Sequence, residues 1–221
     1  MLNTVMDFLD KFEVVKEDGD LTYFDAGIAV QKDRNHSVSY DADYFEKYVG
    51  YKGSDISLSL NKSRVAFTER FCKKAILDVG IGSGEFITSA KKLKVYGYDI
   101  NPCGVQWLKD RDLFLDPYVE IPQEIEGLTF WDSLEHFVDP QDILKLFRPG
   151  LIAFIAIPIF HDILKIKEWK HYRPNEHFYY FTFRGMINYM KQSGFQLLDH
   201  HDEEIEAGRQ DILTFAFRRL P

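Results

Sequence analysis

The sequence predicts an α/β domain: a seven-stranded, mostly parallel sheet with an antiparallel C-terminal strand, helices on both faces and a small N-terminal extension. Three observations carry that expectation. From residue 75 onward, short apolar runs alternate with helical ones at the spacing of strand–helix units. The segment AILDVGIGSG (75–84) reads as a strand running into closely spaced glycines. The longest apolar run, LIAFIAIPIF (151–160), is interrupted by Pro158, falls well short of a membrane span and suits a strand buried on both faces.

The elements follow in order. Strand 75–79 leads to helix 84–93, and strand 94–98 to helix 103–111. A short third strand is expected near 113–116, a fourth near 127–131, a helix near 141–147 and a fifth strand at 151–157. Alternation at this spacing implies parallel strands joined by right-handed crossovers. Helix 182–193 then precedes strand-like segments 195–200 and 211–218, whose short acidic link DEEIEAG permits only an antiparallel pair.

Residues 1–73 read as a hairpin and helical extension to the main domain, 74–221. MLNTVMDFLDKF suggests a short amphipathic helix and lacks the basic region and apolar stretch of a secretory signal. Residues 21–40 alternate loosely, as a hairpin would. Residues 41–73 look helical, with Asp41 as N-cap for YFEKYV and a second helix through SLSLNKSRVAFTERF.

Composition narrows the function classes. With 221 residues, 45% hydrophobic and 15% aromatic, the chain can bury one substantial core, with no room for a second full domain. The formal net charge of −8 and the scatter of its basic residues argue against polymeric nucleic acid as a partner, although Lys165, Lys167, Lys170 and Arg173 could form a local patch. Cys72 and Cys103 stand alone, so neither a disulfide framework nor a zinc site is expected, and a reducing cytoplasm fits. His200 and His201 alternate faces of a strand and cannot easily share a metal. No metal and no membrane association are expected.

The glycine loop points to a ligand. Gly80, Gly82 and Gly84 let the backbone turn tightly off the strand and approach a bound molecule closely. A dinucleotide fingerprint would need glycine at 85, which is Glu here. Asp78, at the mouth of the loop, would repel a pyrophosphate but suits a cationic ligand such as the amino group and sulfonium of S-adenosylmethionine. About fifteen residues past Gly84, KVYGYDIN ends in Asp99, an acid placed to accept both hydroxyls of a ribose, with Ile100 beside it as an apolar face for adenine.

With these residues in place, the chain resembles the class I S-adenosylmethionine-dependent methyltransferases. FWDSLEHFVDPQDIL (130–144) is similar to the fourth-strand motif of that superfamily, and HFYYFTFRGMINYMKQSGFQLLD (177–199) to its later His, aromatic run, helix and Gly-Phe. The resemblance runs from about residue 75 to the C-terminus. It is strongest to the small-molecule group that includes quinone and sugar O-methyltransferases, and to bacterial and phage relatives. Where that family often has Gly-Gly, this chain has Arg148, Pro149 and a single Gly150, which reads as a tighter turn.

The resemblance implies a Rossmann-like sheet and S-adenosylmethionine as cofactor, held by Asp78, Gly80, Gly82, Gly84, Asp99, Ile100 and Asp116. Asp116 would meet the adenine amino group; a turn residue before Pro117 is its alternative. It implies a small-molecule or glycosidic acceptor, methylated at oxygen, with His177 and then His136 as general bases unless they are structural. The aromatic and ionisable stretch WKHYRPNEHFYYF (169–181) falls where acceptor pockets of the superfamily sit: Arg173 could grip an anionic acceptor and Tyr179 could line a partly open wall or pack in the core. Tyr44, Tyr48 and Tyr51 could close over the sulfonium. Two alternatives stand beside this reading: a nucleotide or modified-base methyltransferase, including phage DNA modification, and a non-catalytic cofactor-binding protein. The Asn-Pro-Pro-Tyr type motif of adenine methylation is absent from WDSL, and the Pro102-Cys103 pair follows the second strand instead of the fourth.

Overall fold

The structure, a computed structural model, describes residues 8–35, 39, 41–174 and 176–221. The seven expected N-terminal helical residues 1–7 lie outside the described residues; Phe8 and Phe12, which follow, pack against Tyr189 and Phe24. Among the described residues, ten strands form one sheet. Three come from the N-terminal part: β1 (Val14–Glu17), β2 (Leu21–Phe24) and β3 (Ile28–Gln31), an antiparallel meander in which the expected hairpin is already complete at Gln31.

The central strands are β4 (Ala75–Val79), β5 (Lys94–Tyr98), β6 (Ile125–Trp131) and β7 (Ile152–Phe160). They are parallel, in the order β5-β4-β6-β7. Every residue of β7 is buried, which is why its sequence is apolar without alternation. The expected third strand is reduced to one parallel bridge, Gly97 with Phe114. Asp112 in the left-handed region (φ 54) and the turn at Asp116 bracket Leu113–Leu115, leaving room for two hydrogen bonds to Gly97 and no more.

Beyond β7 the sheet forks. Residues Ile152 to Pro158 pair antiparallel with β10 (Ile212–Arg219), which in turn pairs with β9 (Phe195–His201). The last two residues of β7, Ile159 and Phe160, pass to a different neighbour, β8 (Tyr179–Thr182), and β8 joins β3. The single seven-stranded sheet of the sequence reading therefore becomes ten strands. The N-terminal meander continues the sheet through β8, a strand within the segment expected to be an acceptor wall.

Local chemistry sets the helix starts. The Asp41 carboxylate accepts the Tyr44 N–H (3.1 Å) ahead of α1 (Ala42–Val49), as expected from the sequence. Ser54 caps α2 (Asp55–Phe71) in the same way, and Asn101 with Pro102 opens α4 (Pro102–Lys109). Between β4 and β5 the helix is only α3 (Glu85–Ser89), because Ala90 leaves the helical region. The expected 141–147 helix is likewise one turn, α5 (Gln141–Leu144), while α6 (Phe183–Gln192) nearly fills its expected range. The core lies on both faces of β4, β6 and β7, where Leu77, Leu128, Phe130, Phe154 and Ile155 are fully buried.

Candidate functional site

Strand order reverses between β5 and β6, on either side of β4, and loops leaving such a point diverge to open a crevice at the carboxyl ends of the strands. A cleft of about 510 Å³ lies there. Asp78, Gly80, Gly82, Asp99 and Ile100 line it from the first two strands, Asp132, Ser133 and His136 from the loop after β6, and Tyr44, Phe45, Tyr48 and Tyr51 from the helical extension.

The three glycines divide by role. All have positive φ (84°, 52° and 68° at 80, 82 and 84). A Cβ on Gly80 would sit 2.9 Å from the Ser133 side chain, and one on Gly84 would meet the Trp107 ring at 2.7 Å. On Gly82 the nearest atom is a Tyr48 ring carbon at 3.9 Å. Packing thus excludes side chains at Gly80 and Gly84, and the open cleft is what a side chain at Gly82 would enter.

Asp99 stands at the tip of β5. Its two oxygens accept the backbone N–H groups of Ile81 (2.9 Å) and Asn101 (2.8 Å), so the glycine loop and the acid hold each other in place. Each carboxylate oxygen keeps a second lone pair for a ligand hydroxyl. Burial raises this carboxyl above the usual range, against the pull of those N–H groups. Ile100, 60% exposed, offers its apolar side chain at the cleft edge. Asp78 is nearly inaccessible, accepts the Thr129 hydroxyl (2.7 Å), and is pushed up to about 7 by burial. A cation placed beside it would be met by a carboxyl ready to lose its proton.

Other expected site residues fall elsewhere. Asp116 accepts the Tyr118 N–H (2.9 Å) and so caps its own turn, and it is Tyr118 that reaches the cleft. Arg173 is exposed and paired with Glu176 (3.2 Å). Tyr179 is buried in β8, its hydroxyl donating to the Val138 carbonyl at 3.4 Å, so the wall read as partly open is closed by sheet pairing. His177 is 5% exposed and lies behind His136, ring centroids 4.8 Å apart. Burial, His136 and Arg173 depress its imidazolium to about 3. His136 is the member of the pair that lines the cleft. Beside them Glu135 is 1% exposed, neither of its carboxyl oxygens has a hydrogen-bond partner, and burial together with Asp132 raises its carboxyl.

Two clusters escaped the sequence reading. The Asp132 carboxylate, on a residue with φ 54, accepts from Arg209 (2.8 and 2.9 Å) and Arg64 (3.1 Å); Arg64 also reaches Glu204 (2.7 Å), as does Arg209. Arg64 lies over the Trp131 ring at 5.0 Å and faces the cleft. The second cluster centres on buried Glu85, which accepts from the Ser57 hydroxyl, the Asn61 amide (3.2 Å) and the Gly53 N–H (2.9 Å), tying α2 to the glycine loop. Its signal was present in the sequence: Glu85 occupies the position where a dinucleotide loop has its third glycine.

A parallel sheet with a reversal point, a left-handed glycine turn facing a cleft and an acid at the tip of the neighbouring strand define the class of α/β proteins that bind a nucleoside cofactor. The sequence model of a family described as "methyltransferase domain" matches residues 56–200, and the chain belongs to that family, within the class I S-adenosylmethionine-dependent methyltransferases. No curated protein matches the chain. Among solved structures it is similar to an S-adenosylmethionine-dependent methyltransferase from Clostridium acetobutylicum ATCC 824 (12% identity, 81% of this chain and 98% of that one, TM-score 0.54). It is also similar to magnesium protoporphyrin IX methyltransferase from Synechocystis PCC 6803 with bound SAH (13%, 80% and 93%, 0.55). A third is the glycopeptide N-methyltransferase MtfA complexed with sinefungin (10%, 73% and 87%, 0.53). At these identities the likeness is one of fold.

Proposed function

We propose that the protein transfers a methyl group from S-adenosylmethionine to the oxygen of a small-molecule or glycosidic acceptor. The observation that carries this reading is the cleft itself, whose lining brings the Gly82 turn and Asp99 together with His136. S-adenosylmethionine, when bound, supplies a sulfonium-linked electrophilic methyl group. Asp99 accepts the ribose hydroxyls, Ile100 covers an adenine face, Gly82 admits the close approach, and Asp78 balances the ligand's positive charge. Tyr44 and Tyr48, whose hydroxyls lie 3.1 Å apart, keep water from the reacting centre and present ring faces to a cation.

Positioning is most of what an in-line displacement asks of a protein. The acceptor oxygen meets the cleft at His136, backed by His177 and Glu135, and its proton leaves at that corner. Both cysteines are free, Cys72 being buried, which fits a reducing cytoplasm. Among the described residues no helix is long and apolar enough to cross a membrane.

The test is a screen of cell metabolites with methyl-labelled cofactor, followed by His136→Ala on any acceptor found. The variant should turn over about a hundredfold more slowly or worse, with cofactor affinity unchanged. Label recovered in nucleic acid instead would replace this acceptor class by the nucleotide one, and cofactor binding without turnover on any fraction would favour a non-catalytic role.

A further inference from the structure

We propose that Glu135, His136 and His177 form a binding site for one divalent first-row transition-metal cation on the His136 side of the cleft. One potential ligand atom from each residue lies within 4.8 Å of the other two. A point equidistant from three atoms at that spacing lies about 2.8 Å from each, so side-chain shifts of about 0.7 Å would bring all three to the roughly 2.1 Å of nitrogen and oxygen ligation. Two imidazoles and one carboxylate are the ligand set of zinc, iron(II) and manganese sites that keep coordination positions open, and hard cations such as calcium would instead call for more oxygen.

The second observation comes from Glu135. It is 1% exposed and both carboxyl oxygens lack a hydrogen-bond partner, an arrangement that folded proteins seldom leave uncompensated. Neither Arg64 nor Arg209, which serve the adjacent Asp132, is bonded to it. The ligands are rigidly supplied: the Phe178 N–H donates to the Glu135 carbonyl (2.8 Å) and the His177 N–H to the Arg173 carbonyl (2.7 Å), so β8 and the turn after β6 are tied at this point. Of the three, His136 lines the cleft, so an acceptor oxygen in the cleft would approach a cation held here from the His136 side.

The metal site stands on these side chains alone. Its use in turnover rests on the methyl-transfer reading: an acceptor hydroxyl bound to the cation would lose its proton to water more readily, and the resulting oxyanion would attack the methyl group while the sulfonium leaves as a neutral thioether.

Chelator-treated full-length protein is titrated with Zn²⁺ by calorimetry, and separately with S-adenosylmethionine. The expected result is one saturable Zn²⁺ per chain at micromolar or lower concentration, a melting temperature that rises with Zn²⁺, and loss of affinity by more than about a hundredfold in Glu135→Gln and His177→Gln. Glu135→Gln should leave the S-adenosylmethionine titration unchanged, which separates failure of this site from failure of the cofactor reading. Absence of saturable Zn²⁺ binding, or binding unchanged in both variants, overturns the proposal. Should neither variant fold, Co²⁺ added to the wild type decides: strong visible bands of low-coordinate Co²⁺ support the site, and the pale spectrum of the hydrated ion refutes it.

Discussion

Gly82→Val is expected to abolish S-adenosylmethionine binding while the protein stays folded, and Gly84→Val to do nearly the reverse. At Gly82 the left-handed backbone costs an L-residue about 1–2 kcal/mol, but the nearest atom to the new Cβ is 3.9 Å away, so the added bulk projects into the cleft. Calorimetry should show affinity reduced by more than about a hundredfold and the melting curve displaced by about 3–6 °C. At Gly84 the same backbone cost is joined by overlap with three Trp107 ring carbons at 2.7 to 2.9 Å, inside a packed face of the sheet. Destabilisation of about 3 kcal/mol or more follows, a drop of roughly 6–12 °C. Equal behaviour of the two variants would mean that the loop's glycines share one role and that the cleft is not where the ligand lies.

The second large effect concerns the Arg64–Asp132–Glu204–Arg209 quartet. Arg209→Met leaves Glu204, 1% exposed, and Asp132 to share one guanidinium. Removing one partner from a fully buried ion pair typically costs about 3–5 kcal/mol, because the orphaned charge keeps its desolvation penalty. With Glu204 buried but Arg209 and Asp132 28% and 29% exposed, the cost should lie at or below the lower end of that range. Urea unfolding at neutral pH measures it directly. The pH dependence has a definite sign. Despite burial, Arg209 and Arg64 hold the Asp132 carboxyl down to about 2, so its contribution is fully present above the unfolded value near 3.9 and is lost as pH falls toward about 2. In Arg209→Met the folded carboxyl lies closer to its unfolded value, so the loss should be smaller and complete at higher pH. A change below about 1 kcal/mol would show that solvent, and not the quartet, satisfies these groups.

The parts of the fold that were legible in the sequence depend on near neighbours. Strands 75–79 and 94–98 appear with the expected bounds because apolar runs and turn residues mark both ends. Gly82 and Asp99 were readable because their spacing along the chain reflects one strand–turn–helix–strand unit. What was not legible depends on distant partners. YYFT at 179–182 has the same aromatic composition whether it lines a pocket or joins a sheet; the overhang of β7 and the edge of β3 decide for the sheet. That choice buries Tyr179 and brings His177 behind His136. Asp116 precedes a proline and caps its own turn through one carboxylate oxygen, the turn role that its sequence context offered beside the adenine contact implied by the family. The quartet joins α2, the end of β6 and the 203–209 turn, three segments whose charges carry no mutual spacing in the chain.

The most direct test of the cleft as a cofactor site is calorimetric titration of S-adenosylmethionine into the wild type and Asp99→Ala. The wild type should show a single site per chain. The variant loses hydrogen bonds from a charged acceptor worth about 1.5–3 kcal/mol each, and its affinity should fall by roughly tenfold to more than a hundredfold while its unfolding remains cooperative. Equal affinity in the two proteins, or no saturable binding to the wild type, would contradict the assignment of this cleft.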